Sequence, residues 1–180
     1  MKPTLNPRKL PVLNFAKSGA TLVGQEPLAH FERLQDFQQA NVPDAQVHFQ
    51  AQGEMREVAE SGAAPWMQLS AGTRLTMVCQ RCLAPVEQEV SFAREFRFVA
   101  SEAQAELEDE DSEEDVLALS TEFDLLELVE DELLMALPAS PKHEVCPHAV
   151  KLQVADADFQ ETGDKPNPFA ALVALKVPKG

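Results

Sequence analysis

Cys79 and Cys82 stand two residues apart in "TMVCQRCLAPV", and the last cysteine, Cys146, belongs to a similarly spaced "HEVC". Thiols and an imidazole at this spacing suit three kinds of chemistry. A redox dithiol of the thioredoxin kind opens a helix, whose N-terminal dipole lowers the thiol pKa. Pro85 and the strand-like pattern after it argue against a helix at this pair. A tetrahedral zinc site would take Cys79 and Cys82 as one half and His143 and Cys146 as the other, with His148 as a spare, and would hold one structural zinc. The third reading is packing alone, with Cys79 a small core residue that ends a strand and Cys82 an idle thiol. The two halves are far apart in the chain, so spacing leaves the choice open.

Carboxylates are the other abundant reactive group. The chain has 180 residues and a net charge of −15, with 30 Asp and Glu against 15 Lys and Arg. Fifteen of the acids lie between Glu102 and Glu132, a stretch without Lys or Arg, and the remainder of the chain is neutral. Such a block repels phosphate backbones and calls for a basic partner. Glu127, Glu130 and Asp131 fall on one outer helix face, which makes them the candidate partner-binding residues rather than an acid/base pair. Nucleophile elbows, phosphate-binding loops, HExxH and paired-glycine fingerprints are all absent, which points away from an enzyme. With no Tyr and one Trp, a base-stacking platform is weak. Arg74, Arg81, Arg94 and Arg97 keep a direct RNA contact open as a variant. His30 and His48 read as structural.

The elements that must position these groups follow from periodicity. Residues 45–99 alternate apolar and polar in three runs, the pattern of an antiparallel meander, and this places the cysteine pair at a strand-to-strand turn. "DLLELVEDELLMAL" (124–137) predicts a helix capped by Asp124, with Leu125, Leu128, Val129 and Leu133 as its apolar stripe and Pro138 as its stop. Shorter helices are expected over 27–40 and in "KPNPFAALVALK" (165–176). Residues 1–26 read as an irregular arm with one strand at "LPVLNF". Residues 101–115 have nothing to bury and read as an acidic mobile loop. The expected fold is α+β, one domain over 1–180, an antiparallel sheet packed by a few short helices. No run reaches the roughly 18 apolar residues of a membrane span. The proline-broken N-terminus lacks the apolar stretch of a signal peptide, and the odd cysteine count suggests no disulfide framework, so a reduced, cytoplasmic protein is expected.

Taken together, "CQRCLAPV", "DLLELVEDELLMALPASPKH", the cysteine that follows and "KPNPFAALVALK" resemble the YceD family in order and approximate spacing. Its bacterial members are described as large ribosomal RNA subunit accumulation proteins. The resemblance implies a role in synthesis, processing or stability of 23S rRNA, in the cytoplasm, and no known enzymatic activity. Read with the charge distribution, it favours an assembly factor that binds a basic ribosomal protein or a pre-50S particle. A thiol oxidoreductase acting through Cys79 and Cys82 is the alternative from a different class.

Overall fold

A computed structural model describes residues 5–39, 42, 44–58, 62–148, 154, 155 and 169. The alternating runs form strands as their period requires: β1 (Thr21–Pro27), β2 (Gln46–Val58), β3 (Gly62–Val78) and β4 (Pro85–Val99) pair antiparallel in chain order. Along β3, Met67, Leu69, Ala71, Leu75 and Met77 point into the core, opposite Phe96, Val90 and Val86 of β4. Their neighbours Gln68, Ser70 and Arg74 lie on the other face. A fifth strand, β5 (Asp115–Ala118), adds to the free edge of β4 in parallel. A parallel neighbour needs a crossover, and helix α3 (Glu102–Asp109) supplies it. The fold is therefore α+β with a five-stranded, mostly antiparallel sheet, as expected.

Three further helices cover the apolar face: α1 (Val12–Lys17), α2 (Glu32–Gln35) and α4 (Leu125–Met135). Asp124 caps α4 as its sequence predicts, its Oδ1 accepting from the amides of Leu126 and Glu127 at 3.0 and 3.1 Å. The buried stripe is rotated slightly from the expected one. Leu125, Leu126, Val129 and Leu133 are buried, whereas Leu128 is only partly so.

Several local expectations need correction. "LPVLNF" is not a strand: Val12, Phe15 and Ala16 are buried at i, i+3 and i+4, which is helical spacing, while a β-bridge joins Leu10 to Phe123 and Val12 N donates to Ser120 O. Gly53 of β2 makes room for this helix, since a Cβ there would lie 2.6 Å from the Phe15 ring and 2.9 Å from the Ala16 backbone. The supposed arm also contains β1, an edge strand whose alternation is too polar to stand out. The single helix expected at 27–40 breaks into a 3-10 turn (Leu28–His30) and α2. Residues 101–115, expected as a loop, contain α3, whose Ser101 accepts from the Gln104 amide as a cap. Ala105 of α3 packs with Val99 and Val116 in a small satellite core, so this segment does have something to bury.

By its contacts the chain divides into residues 1–148, described above, and 149–180. The helix expected at 165–176 lies outside the described residues apart from Phe169.

Candidate metal centre and acidic surface

The β3–β4 connection is a six-residue turn, 79–84, closed by Cys79 N donating to Ala84 O and Leu83 N donating to Cys79 O at 3.0 and 2.9 Å. Leu83 occupies the left-handed region at φ 61°, a conformation normally left to glycine, and its side chain is 75% exposed. That backbone bend turns Cys79 into the core and leaves Cys82 at its edge. The cysteines do not open a helix, so the dipole on which a thioredoxin-type dithiol relies is missing.

After α4 the chain runs back along the sheet to this turn. Gln80 N donates to Pro141 O at 2.8 Å, and the Arg81 guanidinium donates to the carbonyls of His143 and Glu144. These bonds bring the two sequence-distant halves together. Ligand atoms of Cys79, Cys82, His143 and Cys146 all lie within 4.8 Å of one another. His148, the spare, is not among them. His143 Nδ1 faces Cys82 Sγ at 3.4 Å while its Nε2 lies 3.0 Å from the Pro85 carbonyl. The carbonyl can only accept, so Nε2 carries a proton, and in the neutral ring Nδ1 presents its lone pair to the thiols.

Burial alone would push the Cys79 thiol up, but the backbone N–H groups of His143, Arg81 and Cys82 favour its thiolate and hold it at about 5. Cys146 is pushed upward by burial and by its hydrogen bonds with Cys82 and Cys79. All three cysteines are free of disulfide bonds.

Of the candidate partner residues on α4, Glu127 is exposed and the Asp131 side chain is half-exposed. Glu130, with its side chain 12% exposed, accepts from the backbone amides of Arg33 and Leu34 at 2.9 and 3.2 Å and from the Arg33 side chain. It therefore caps α2 from another helix, an N-terminus signal that no local sequence window contains. Asp131 Oδ1 takes Arg33 Nη1 at 2.6 Å.

Three of the four candidate RNA-binding arginines are engaged within the molecule as well. Arg97, with a 7% exposed side chain, donates to Glu114 and Glu108. Arg94 pairs with Asp115 and Glu132, Arg81 serves the turn, and Arg74 is exposed. The outward acidic surface lies instead on α3 and the turn after it, where Glu102, Glu106, Glu110, Asp111 and Glu113 are exposed. Among the described residues no helix is long and apolar enough to cross a membrane.

Residues 67–176 match the family model described as large ribosomal RNA subunit accumulation protein YceD, a span that takes in both halves of the cysteine–histidine cluster, α3, β5 and α4. A curated relative from Haemophilus influenzae, bearing the same description, is 39% identical over 100 residues, which are 54% of this chain and 58% of the relative. The match thus spans somewhat more than half of that relative's length. No solved structure matches.

Proposed function

The chain belongs to the YceD family of large ribosomal RNA subunit accumulation proteins, and on that premise we propose that it supports 23S rRNA accumulation in the cytoplasm as a non-catalytic assembly factor. It acts by holding a basic ribosomal protein, alone or on a pre-50S particle, against the acidic surface of α3 and the turn that follows. The observation that carries this reading is the contrast in how charge is used. The hairpin arginines Arg81, Arg94 and Arg97 are engaged by groups of the same molecule, although Arg97 alone of them is buried, while Glu102, Glu106, Glu110, Asp111 and Glu113 are exposed. Bare RNA would gain no counterion release from such a surface, whereas a cationic protein would be drawn to it. Glu127 extends the surface onto α4; Glu130 and Asp131 contribute to the fold through Arg33.

Replacing Glu106, Glu110 and Glu113 with lysine tests this directly. In a strain lacking the native gene, this variant should fold but fail to restore 23S rRNA, and its co-sedimentation with large-subunit precursors should be lost. Wild-type co-sedimentation should weaken steeply between low and several hundred millimolar salt as the Debye length shrinks. Full restoration of 23S rRNA by the lysine variant would eliminate the acidic-surface mechanism, and loss of function in Arg74→Glu alone would turn the reading toward direct RNA contact.

A further inference from the structure

We propose that Cys79, Cys82, His143 and Cys146 hold one zinc ion in a closed Cys3His site, which fastens the segment after α4 to the β3–β4 turn. The assignment goes beyond the ribosomal reading and does not depend on it.

Four observations converge. The donor set is three sulfurs and one imidazole nitrogen, the soft-to-borderline ligands that select zinc over magnesium or calcium. Their mutual separations are those of ligands around one ion. At Zn–S of about 2.3 Å the edges of a tetrahedron are roughly 3.8 Å, and the four ligand atoms here all fall within 4.8 Å. The histidine is already oriented as a ligand, because donation from Nε2 to the Pro85 carbonyl leaves Nδ1 as the acceptor 3.4 Å from Cys82 Sγ. Finally, both ligand-bearing segments are tied to each other by bonds that do not involve the ligands' own side chains, from Gln80 N to Pro141 O and from Arg81 to the His143 and Glu144 carbonyls.

Four protein ligands complete a tetrahedron, so no position is left for water or substrate, and the ion's role is structural. On binding, each ligating cysteine that is still protonated gives its proton to solvent, and no electron is transferred. The consequence is mechanical: the ion closes a loop from Cys82 to His143, which are 61 positions apart. Constraining a loop of that length disfavours the unfolded chain and pins residues 141–146 against the turn.

The test uses the full chain purified under reducing conditions. Elemental analysis should find about one zinc per chain. Exchange into cobalt should give a thiolate-to-cobalt charge-transfer band and the intense visible bands of tetrahedral coordination. Cys146→Ser should lower zinc content at least tenfold, while His148→Ala should leave it unchanged. Chelation should speed amide exchange in 79–84 and 141–146 without changing it in β5. Should Cys146→Ser fail to fold, the cobalt spectrum of the unmodified chain decides the matter alone. Protein with less than a tenth of an equivalent of zinc and an octahedral cobalt spectrum would overturn the assignment. So would iron in place of zinc, or a Cys79–Cys82 disulfide found by mass spectrometry in protein taken from reducing cytoplasm.

Discussion

Glu132 is a buried carboxylate on α4, beside Arg94 at 3.4 Å but also near Asp115 and Asp131. Burial pushes its pKa up, Arg94 pulls it down, and the two neighbouring acids push it up again. An acid with a raised folded-state pKa binds its proton more tightly folded than unfolded. Its ionised form therefore works against the fold at neutral pH, and that cost disappears as pH falls through the folded-state pKa. Glu132→Gln removes the charge at every pH. The variant should melt at or above the wild-type temperature at pH 7, with the difference closing toward acidic pH. A clear drop in melting temperature at pH 7 would show that the Arg94 pairing outweighs the burial. Glu108 has the opposite disposition, its carboxyl held low first by hydrogen bonding from Arg97, then by Gln104. Its contribution is present above the ordinary glutamate range and is lost as pH falls through its depressed folded value.

At the level of elements, α4 is the keystone of the helical layer, because it packs on β3 and β4 and also caps α2 through Glu130. Its cap and apolar stripe were legible in the sequence because both are local: Asp124 sits next to the amides it satisfies, and buried positions recur every three to four residues. The 97 positions separating Arg33 from Glu130 explain why the α2 cap was not. For the same reason Glu130 and Asp131 read as an outward face, since periodicity reports which side of a helix a residue is on but not what packs beside that side. The CxxC and HxxC halves could be paired as candidates because few side chains ligate metals, yet their convergence depends on a return of the chain that spacing does not encode. The acidic stretch 101–115 read as a loop because Arg97, which neutralises Glu108 and Glu114, lies in the preceding strand. A comparison of two substitutions checks the orientation of α4. Val129→Asp places a charge at a fully buried position and should cost several kcal/mol, by order of magnitude about 3–5. Leu128→Asp, at a partly buried position, should cost distinctly less. Equal losses would mean that the helix is rotated from the orientation described.

Across the molecule, β4 separates the two features on which the proposals rest. The cysteine–histidine cluster adjoins its start at Pro85, and α3 begins just beyond its end at Val99. Fifteen residues of strand extend roughly 45–50 Å. Charge at one end and metal at the other should therefore be energetically independent. Combining the Glu106, Glu110 and Glu113 lysine replacements with Cys146→Ser should give a change in unfolding free energy equal to the sum of the separate changes within about 0.5 kcal/mol. A larger interaction energy, measured by denaturant unfolding, would reveal a coupling between the two ends that no contact among the described residues provides. The same separation means that a partner resting on α3 need not cover the exposed Leu83 at the turn.

The return of the chain to the β3–β4 turn also has a meaning in time. Synthesis delivers Cys79 and Cys82 first, and 61 positions pass between Cys82 and His143. Throughout that interval the emerging chain carries two thiols with neither histidine nor third cysteine to meet them. The Arg81 guanidinium likewise waits for the carbonyls of His143 and Glu144. The clasp can fasten only after α3, β5 and α4 have all been made, so its closure marks completion of the working parts. A chain interrupted before His143 would bear the acidic surface without the clasp.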